Sequence, residues 1–219
     1  MKLLVLGASG RCGRWVTRLA AERGHQVKVL VRPAAVFEAI PGVMVQRGEA
    51  LDPETLDAAV AGAEAVLSCL GLRRAGRNPW ATLLSPPDLT TRVTRALISS
   101  MRKHGVRRLI AISAGGVGQS FGQLSRPVQW LVSQGKIAVA YRDLAGMETE
   151  LARSGLDWLA VRPVTLAGDG PATGCGGSVA RYTFTSTIRR ADVAAWMLDA
   201  VTRSTPFDER TVLLGNTCH

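Results

Sequence analysis

Long hydrophobic runs are missing from this sequence. No stretch of about 18 residues is both apolar and free of charge, so the sequence predicts no transmembrane helix. The first apolar segment begins at Leu3, which leaves no room for the charged and hydrophobic regions of a signal peptide. We therefore expect a soluble, cytoplasmic protein that has no membrane partner.

Cysteine is scarce, and its positions match neither a metal pattern nor a disulfide pattern. The four cysteines, Cys12, Cys69, Cys175 and Cys218, form no C-x-x-C pair and have no histidine at metal-ligand spacing. The sequence therefore predicts no metal site and no disulfide framework, and we expect reduced thiols. Cys12 and Cys69 are placed where they could line a cleft, although packing as small apolar residues is the simpler explanation.

Acidic and aromatic residues are also few. There are 17 acidic residues against 27 basic ones, a net charge of +10, and aromatic residues make up 5% of the chain. Such a charge can attract nucleic acid, but no basic tail is present and aromatic residues for base stacking are rare. The basic residues are also dispersed as pairs, namely Arg73-Arg74, Arg107-Arg108 and Arg189-Arg190. Because several of them fall in loops near the predicted cofactor edge, we expect small anions instead, a dinucleotide and an anionic substrate.

A glycine-rich loop directly follows the first apolar segment. Residues 3–6 predict a buried strand, and the loop between this strand and a helical stretch is Gly7-Ala8-Ser9-Gly10-Arg11-Cys12-Gly13. Gly7 allows a sharp turn, Gly10 removes a side chain where a pyrophosphate approaches, and Gly13 lets the helix pack close to the strand. Free N–H groups at the helix N-terminus favour an anion. The segment predicts a dinucleotide-binding βαβ unit; a purely structural glycine turn is the alternative.

The residue after the second predicted strand indicates which dinucleotide is bound. The strand at residues 26–31 ends at Arg32, where a fold that prefers NAD usually carries an acidic residue. A guanidinium can pair with a 2′-phosphate through two hydrogen bonds and can stack on adenine. Arg11 adds a second positive charge nearby. NADP(H) is therefore predicted to be preferred over NAD(H); the alternative is that Arg32 is a solvated charge at the end of a strand.

The rest of the chain alternates apolar strands with helical segments. With 47% hydrophobic residues, its 219 residues can form one core, and we expect a single α/β domain with a Rossmann-like, doubly wound parallel sheet. Residues 164–219 are expected to form a smaller appendage on the substrate side. Further predicted strands are 43–46, 65–70, 108–113, 158–162 and a short one at 211–214; predicted helices include 36–40, one starting at Asp52-Pro53, 88–104, 137–154 and 191–201.

Polar residues at predicted strand ends are candidates for the site, because ligands bind beyond the carboxyl ends of parallel strands. Glu49 follows the third strand and could accept a hydrogen bond from an adenine amino group, or be a solvated acid. Ser113 ends the fifth strand and is the best polar candidate for chemistry, although a locally satisfied hydroxyl would look the same. The proline-rich loop at residues 72–87 and the segment at 118–134, a possible lid, are expected to border the site.

These residues together resemble the atypical short-chain dehydrogenase/reductases that include NmrA-like proteins and the NADPH-dependent flavin reductase/biliverdin reductase B group. The resemblance extends over nearly the whole chain and is based on residues 3–13, 29–32, 65–71, 104–106, 154–157, 162–163 and 188–193. It implies NADPH held by Gly7, Ser9, Gly10, Arg11, Cys12 and Arg32, with adenine near Glu49 and Ala50. It also implies that the ribose and nicotinamide lie beside Leu70, Gly71, Ala111, Val164 and Thr165.

Two departures from the family pattern bear on function. Gly48-Glu49 replaces the usual Gly-Asp, and the Tyr-xxx-Lys pair of the main short-chain dehydrogenases is absent, since Ala145 and Ser186 follow Tyr141 and Tyr182 at that spacing. A tyrosine with a pKa near 10 needs a neighbouring cation to act as an acid at neutral pH. We therefore expect hydride transfer from NADPH to a flavin, bilin or quinone-like acceptor rather than alcohol dehydrogenation.

In that interpretation Ser113 hydrogen-bonds the carboxamide or the substrate, and Arg73 or Arg77 meets a substrate anion. The missing Tyr-xxx-Lys pair equally fits a non-enzymatic, NADP-sensing regulatory protein of the NmrA-like kind. The sequence does not indicate the identity of the acceptor or the oligomeric state.

Overall fold

A computed structural model describes residues 1–76 and 81–218. The main sheet has eight strands in the order β3-β2-β1-β4-β5-β6-β10-β8, and β7 pairs with β9 in a separate small sheet. The strands are β1 Lys2–Leu6, β2 Gln26–Val31, β3 Val43–Arg47, β4 Ala65–Ser68, β5 Arg108–Ile112, β6 Asp157–Pro163, β7 Thr165–Leu166, β8 Gly176–Ser178, β9 Thr187–Ile188 and β10 Thr211–Asn216. The helices are α1 Arg11–Glu22, α2 Pro53–Val60, α3 Leu89–Lys103, α4 Arg126–Val132, α5 Gly135–Ala152 and α6 Arg190–Val201, with a 3-10 helix at Gly118–Gln123.

The order of the strands reverses at β1. This strand pairs in parallel with β2 on one side and with β4 on the other. Crevices in such sheets lie beyond the carboxyl ends of the strands at the point of reversal. The fold class predicted from the sequence, a Rossmann-like doubly wound sheet, is confirmed, and β10 joins β6 as a further parallel strand.

The central strands are buried on both faces, which explains their uninterrupted apolar sequences. Alternate residues of β1 point to opposite faces. Leu3 and Val5 pack in the hydrophobic cluster that contains buried residues of α1 and α6. Leu4 and Leu6 pack in the second cluster, which contains buried residues of α2, α3 and α5. The helices therefore cover both faces and leave the strand ends open for a site.

One part of the C-terminal quarter of the chain belongs to the central sheet and its helices, and the other part forms irregular segments. α6 packs against α1, and β10 extends the main sheet, so both belong to the central architecture. The region between them and β6 is irregular and carries only the short strands β7, β8 and β9. The role of residues 164–219 on the substrate side stays a prediction.

Two sequence predictions are corrected by the structure. Residues 36–40 form no helix, although their apolar residues suggested one; Phe37 instead packs against the main core from an irregular segment. Cys175 and Cys218 form a disulfide, with their Cα atoms 5.3 Å apart. Antiparallel pairing of β8 with β10 brings these distant positions together, and this pairing could not be deduced from cysteine spacing. In the described part of the chain, no helix combines the length and hydrophobicity needed to cross a bilayer.

Candidate functional site

A cleft of about 760 Å³ lies at the carboxyl ends of the central strands. It contains most of the residues predicted to bind a cofactor, and it also contains Arg73 from the predicted substrate loop. These residues are Gly7, Ser9, Gly10, Arg11, Cys12, Arg32, Glu49, Ala50, Leu70, Gly71 and Arg73. The structure thus brings together segments from four separate parts of the chain at one site.

Other predicted residues lie outside the lining of this cleft. Ala111 and Val164 are buried, with 1% and 3% exposure, and support the strands behind the cleft. Thr165 lies on β7 with its Oγ1 atom 2.9 Å from the Tyr182 hydroxyl oxygen. Arg77 lies outside the described residues. Their predicted contacts with cofactor or substrate stay predictions.

The glycine loop has the close packing that its sequence predicts. Gly7 has a φ of +77°, and a Cβ there would lie 2.6 Å from the carbonyl oxygen of Cys69. Gly13 is buried in α1, and a Cβ there would overlap the carbonyl oxygen of Gly7. Larger residues would therefore push α1 and the end of β4 away from the loop. The two glycines set the shape of the cleft floor.

The N-terminus of α1 opens into the cleft without an internal counter-charge. Gly10 is the N-cap, no described side chain caps it, and the first turn contains no acidic residue. The first N–H groups of a helix have no partner within the helix and carry its positive dipole end. This end of α1 can therefore bind an anion such as a diphosphate.

The part of the cleft beyond β2 and β3 is formed by the loops that follow these two strands, and hydrogen bonds connect the two loops. The backbone N–H of Gly48 donates to the carbonyl of Val31 at 3.0 Å. The guanidinium of Arg47 donates to the carbonyls of Pro33 at 3.1 Å and Ala35 at 3.3 Å. These bonds position Arg32 and Glu49 on the same cleft, where the sequence predicted the adenosine end of a dinucleotide.

Positive charge predominates among the described residues that line the cleft. Its arginines are Arg11, Arg32, Arg73 and Arg190, whereas Glu49 is its acidic side chain. Clefts lined by one sign of charge attract ligands of the opposite sign. The lining of the cleft is therefore suited to a polyanionic ligand.

The two free cysteines line the cleft as uncharged groups. Burial raises the pKa of Cys12 to about 11, although Arg190 and Arg11 act in the opposite direction. Burial also raises the pKa of Cys69 well above its ordinary value, with a smaller contribution from Cys12. Protonated thiols are poor nucleophiles and metal ligands, so both residues act as small packing groups at neutral pH.

The segment after β4 folds back over the mouth of the cleft. The backbone N–H of Arg73 donates to the Ser85 hydroxyl at 3.0 Å, and its guanidinium donates to the Leu84 carbonyl at 3.0 Å. Arg74 donates to the carbonyl of Lys136 at 2.8 Å, which attaches the segment to the start of α5. Leu72, Leu84 and neighbouring apolar residues form a wall beside Arg73. This region therefore combines an apolar wall with a cationic side chain.

Ser113 is part of a buried polar network. It is 5% exposed, and its hydroxyl donates to Glu148 Oε1 at 2.6 Å. Arg162 donates to both oxygens of Glu148, at 3.0 Å from Nε and 2.5 Å from Nη2. The adjacent residue Ile112 lines the cleft, but Ser113 is not among the described lining residues. Its proton is engaged by Glu148 in this structure, and its predicted contact with carboxamide or substrate stays a prediction.

The two tyrosines are engaged in structural contacts. The Tyr141 hydroxyl donates to the carbonyl of Gly115 at 3.0 Å, and burial raises the pKa of this phenol. Tyr182 is buried, pairs with Leu124 through a backbone bridge, and places its hydroxyl beside Thr165. Neither tyrosine has a lysine four residues later. The geometry therefore offers no activated tyrosine for proton transfer.

Several lining residues were not predicted from the sequence. The most important is Arg190, and the others include Leu30, Ala34, Leu51, Leu89, Val93, Ile112 and Leu166. Ser85 and Pro86 also line the cleft, and they belong to the loop at 72–87 that was expected to border the site. Arg190 is in the segment 188–193 on which the family resemblance partly rests. The resemblance therefore pointed to this segment, but it assigned Arg190 no contact with the cofactor. The predicted lid, 118–134, forms the 3-10 helix and α4, and Val128 and Val132 attach α4 to the core.

Comparison with known proteins agrees with this geometry. A family model described as NAD(P)H-binding matches residues 7–204. A 3-diazoavenalumate denitrifying reductase from a Streptomyces species is 32% identical over 177 residues, 78% of this chain and 58% of that protein. The chain spans less than two thirds of the length of the curated relatives it matches.

Solved structures share the fold over nearly the whole chain. An anaerobillin reductase from Escherichia coli O157:H7 superposes with a TM-score of 0.75 at 26% identity, covering 98% of this chain and 96% of that one. A candidate NADH-flavin reductase from Streptococcus pneumoniae TIGR4 has a TM-score of 0.75 at 19% identity, covering 99% of both chains. The match of the family model to residues 7–204 shows that the chain belongs to the NAD(P)H-binding family, which is consistent with the predicted resemblance to atypical short-chain dehydrogenase/reductases of the NmrA-like type.

Proposed function

We propose that this protein is an NADPH-dependent reductase that transfers hydride to a flavin, bilin or quinone-like acceptor. The observation that carries the proposal is one continuous cleft, which joins the open N-terminus of α1 and Arg32 to an apolar wall with Arg73. Such a cleft can hold a dinucleotide and a planar acceptor side by side. The structural neighbours named for anaerobillin and flavin reduction support this class of acceptor.

The preference for NADP(H) rests on the charges at the adenosine end. Arg32 lines the cleft directly after β2, and Arg11 lines it at the start of α1. A guanidinium binds phosphate through parallel, charge-assisted hydrogen bonds. Glu49 lies on the same part of the cleft and is available to accept from the adenine amino group.

The residues of the chain bind and orient the reactants, while NADPH supplies the hydride when it is bound. The N-terminus of α1 receives the diphosphate, and Leu70 and Gly71 border the ribose and nicotinamide. Leu72, Leu84 and Pro86 exclude water from one face of the acceptor, and Arg73 binds an anionic substituent. Because Tyr141 and Tyr182 are engaged elsewhere, the final proton comes from water.

Steady-state oxidation of NADPH tests the proposal. FMN, riboflavin, biliverdin and a soluble quinone are each added as acceptor, and loss of NADPH absorbance is followed with matched NADH assays. We expect turnover with at least one acceptor and a higher kcat/KM with NADPH than with NADH. Measurable NADPH binding without turnover of any acceptor would contradict a reductase.

A second function, an NADP-sensing regulatory protein, is favoured by one observation. The described lining carries four arginines that can bind an anionic dinucleotide, but the site presents no activated tyrosine. A sensor that binds the dinucleotide without catalysis would have the same two properties. In that case the protein would retain a partner protein with only one of NADP⁺ or NADPH. A pull-down in both redox states separates the two functions, because a reductase does not require such a partner.

A further inference from the structure

Arg190 enters the cleft from a part of the chain distant from the glycine loop. It is the first residue of α6, its side chain is 6% exposed, and it lines the cleft together with Arg11 and Cys12. α6 packs along α1, and the charge of Arg190 partly opposes the burial that raises the pKa of Cys12 in the first turn of α1. A buried guanidinium therefore lies near the helix end at which an anion is stabilised.

The contacts of Arg190 leave its positive charge incompletely compensated. Nη1 donates to the carbonyl of Gly168 at 2.8 Å and to Asp169 Oδ1 at 3.1 Å, and Nη2 donates to the carbonyl of Leu166 at 3.1 Å. The carbonyls carry no net charge, and the Asp169 side chain is 58% exposed, so water screens its charge. Arginine stays protonated in proteins. The cleft therefore faces a fixed cation at this end.

The same contacts hold the loop that borders this end of the cleft. Leu166 lines the cleft, and the carbonyls of Leu166 and Gly168 are both bound by Arg190. Asp192 lies two residues after Arg190 in α6, and it accepts hydrogen bonds from the backbone N–H groups of Thr173 and Gly174. The first turn of α6 therefore positions both ends of this loop, and of its two side chains Arg190 also lines the cleft.

We propose that Arg190 supplies positive charge that binds the diphosphate of the dinucleotide beside the N-terminus of α1, while fixing the loop that carries Leu166. This inference rests on the proposed dinucleotide function. The cofactor is then held by two independent cationic groups: Arg32 meets the adenosine 2′-phosphate, and Arg190 meets the diphosphate. Arg190 is thus a cofactor-binding residue that also positions the cleft wall.

Calorimetric titration of NADP⁺ into Arg190→Gln, with Arg189→Gln as matched control, tests the proposal. Arg189 precedes Arg190, donates to the carbonyl of Pro171 at 3.3 Å, and is not among the described lining residues. We expect Arg190→Gln to weaken binding by about 10- to 100-fold, as for the loss of a hydrogen-bonded charge. Arg189→Gln should stay within about twofold of the wild type.

Two further measurements distinguish a charge that binds the ligand from a purely structural role. Asp169→Asn removes the partly compensating negative charge but leaves both carbonyl contacts of Arg190, so NADP⁺ should bind about twofold more tightly at low salt. Adenosine 2′-monophosphate keeps the 2′-phosphate but carries no 5′-phosphate, so it places no charge at the diphosphate position. It should bind equally to the wild type and Arg190→Gln, but weakly to Arg32→Ala.

Equal affinities of Arg190→Gln and Arg189→Gln for NADP⁺, or weaker binding by Asp169→Asn, would overturn the inference. Thermal unfolding shows whether Arg190→Gln is folded. If it is not folded, Arg190→Lys and Asp169→Asn test the inference instead. The lysine variant keeps the positive charge, so its affinity for NADP⁺ should fall by less than the 10- to 100-fold, roughly, that is expected for loss of the charge. A wild-type protein that does not bind NADP⁺ would instead refute the proposed function, which separates the two failures.

Discussion

The two sides of the cleft are built in different ways. On the N-terminal side, the cleft residues between Gly7 and Leu51 come from consecutive strand-loop-helix units, and their positions follow from β1, β2 and β3. On the C-terminal side, Leu166 and Arg190 are held by contacts between distant segments, supported by Asp192 and a disulfide. The first side is defined by local motifs, and the second depends on the completed fold.

This difference predicts different responses to substitution. Changes among exposed charges on the N-terminal side should alter ligand affinity with little effect on unfolding. Changes to the buried contacts and the disulfide of the C-terminal part should mainly alter the free energy of unfolding. Four measurements test this division, from the largest expected effect to the smallest.

Replacing Arg162 with Met should have the largest effect, because it leaves the buried Glu148 carboxylate without its counter-charge. We expect a loss of about 3–5 kcal/mol in the free energy of unfolding, measured by urea denaturation. Arg95→Met is the control, since Arg95 pairs with Glu150 at 2.7 Å but its side chain is 67% exposed. Similar losses in both variants would show that burial does not determine how much the Arg162–Glu148 pair contributes to the free energy of unfolding.

Removing the Cys175–Cys218 disulfide should cost about 2–4 kcal/mol of stability. The double variant Cys175→Ser/Cys218→Ser is compared with the wild type by urea denaturation, with and without a dithiol reductant. The reductant should lower the wild-type stability to that of the variant and leave the variant unchanged. A reductant effect of the same size on both proteins would contradict this assignment.

The same disulfide bears on the prediction of a cytoplasmic location, because disulfides persist mainly in oxidising compartments. Intact-mass measurement of protein from cells lysed in denaturant, with all accessible thiols blocked at that step, shows whether the bond exists in the cell. Two blocked cysteines per chain indicate the disulfide, and four indicate reduced thiols and agree with the cytoplasmic prediction.

Replacing Arg32 with Ala should weaken NADPH binding by about 1–3 kcal/mol more than NADH binding. The reason is the loss of charge-assisted hydrogen bonds to the 2′-phosphate, and the measurement is calorimetric titration with both cofactors. Arg14→Ala is the control, because Arg14 is exposed on α1 and absent from the described cleft lining. Unchanged stability is expected for both variants. If Arg32→Ala affects the two cofactors equally, Arg32 does not recognise the phosphate.

The smallest expected effect concerns the chemistry of Cys12. Because burial raises its pKa to about 11, the reactive thiolate is scarce at neutral pH and increases as the pH approaches that value. Alkylation by iodoacetamide, measured by mass spectrometry, should therefore be slow at neutral pH and accelerate about tenfold per pH unit. The urea-unfolded protein is the control and should react at an ordinary rate. Rapid labelling of native Cys12 at neutral pH would contradict a buried, protonated thiol.

Predictions from the sequence succeeded where short-range chemistry determines structure. Gly7 and Gly13 occupy positions that a side chain could not, and Asp52-Pro53 begins α2 with Asp52 accepting from the Thr55 backbone at 3.3 Å. The predictions failed where contacts between distant segments decided the structure. Phe37 packs on the core without a helix, and β8 and β10 bring Cys175 to Cys218.

The amino-acid sequence alone was sufficient for the Rossmann-like fold, the family and the glycine loop, because these depend on residue spacing along one strand-turn-helix unit and on apolar runs that must be buried. Only the tertiary structure determined that Ser113 is bound to Glu148, that Arg190 lines the cleft, and that Cys175 pairs with Cys218. Each of these contacts joins residues separated by tens of positions. Their distance in space depends on how strands and helices pack, which no local pattern in the chain encodes.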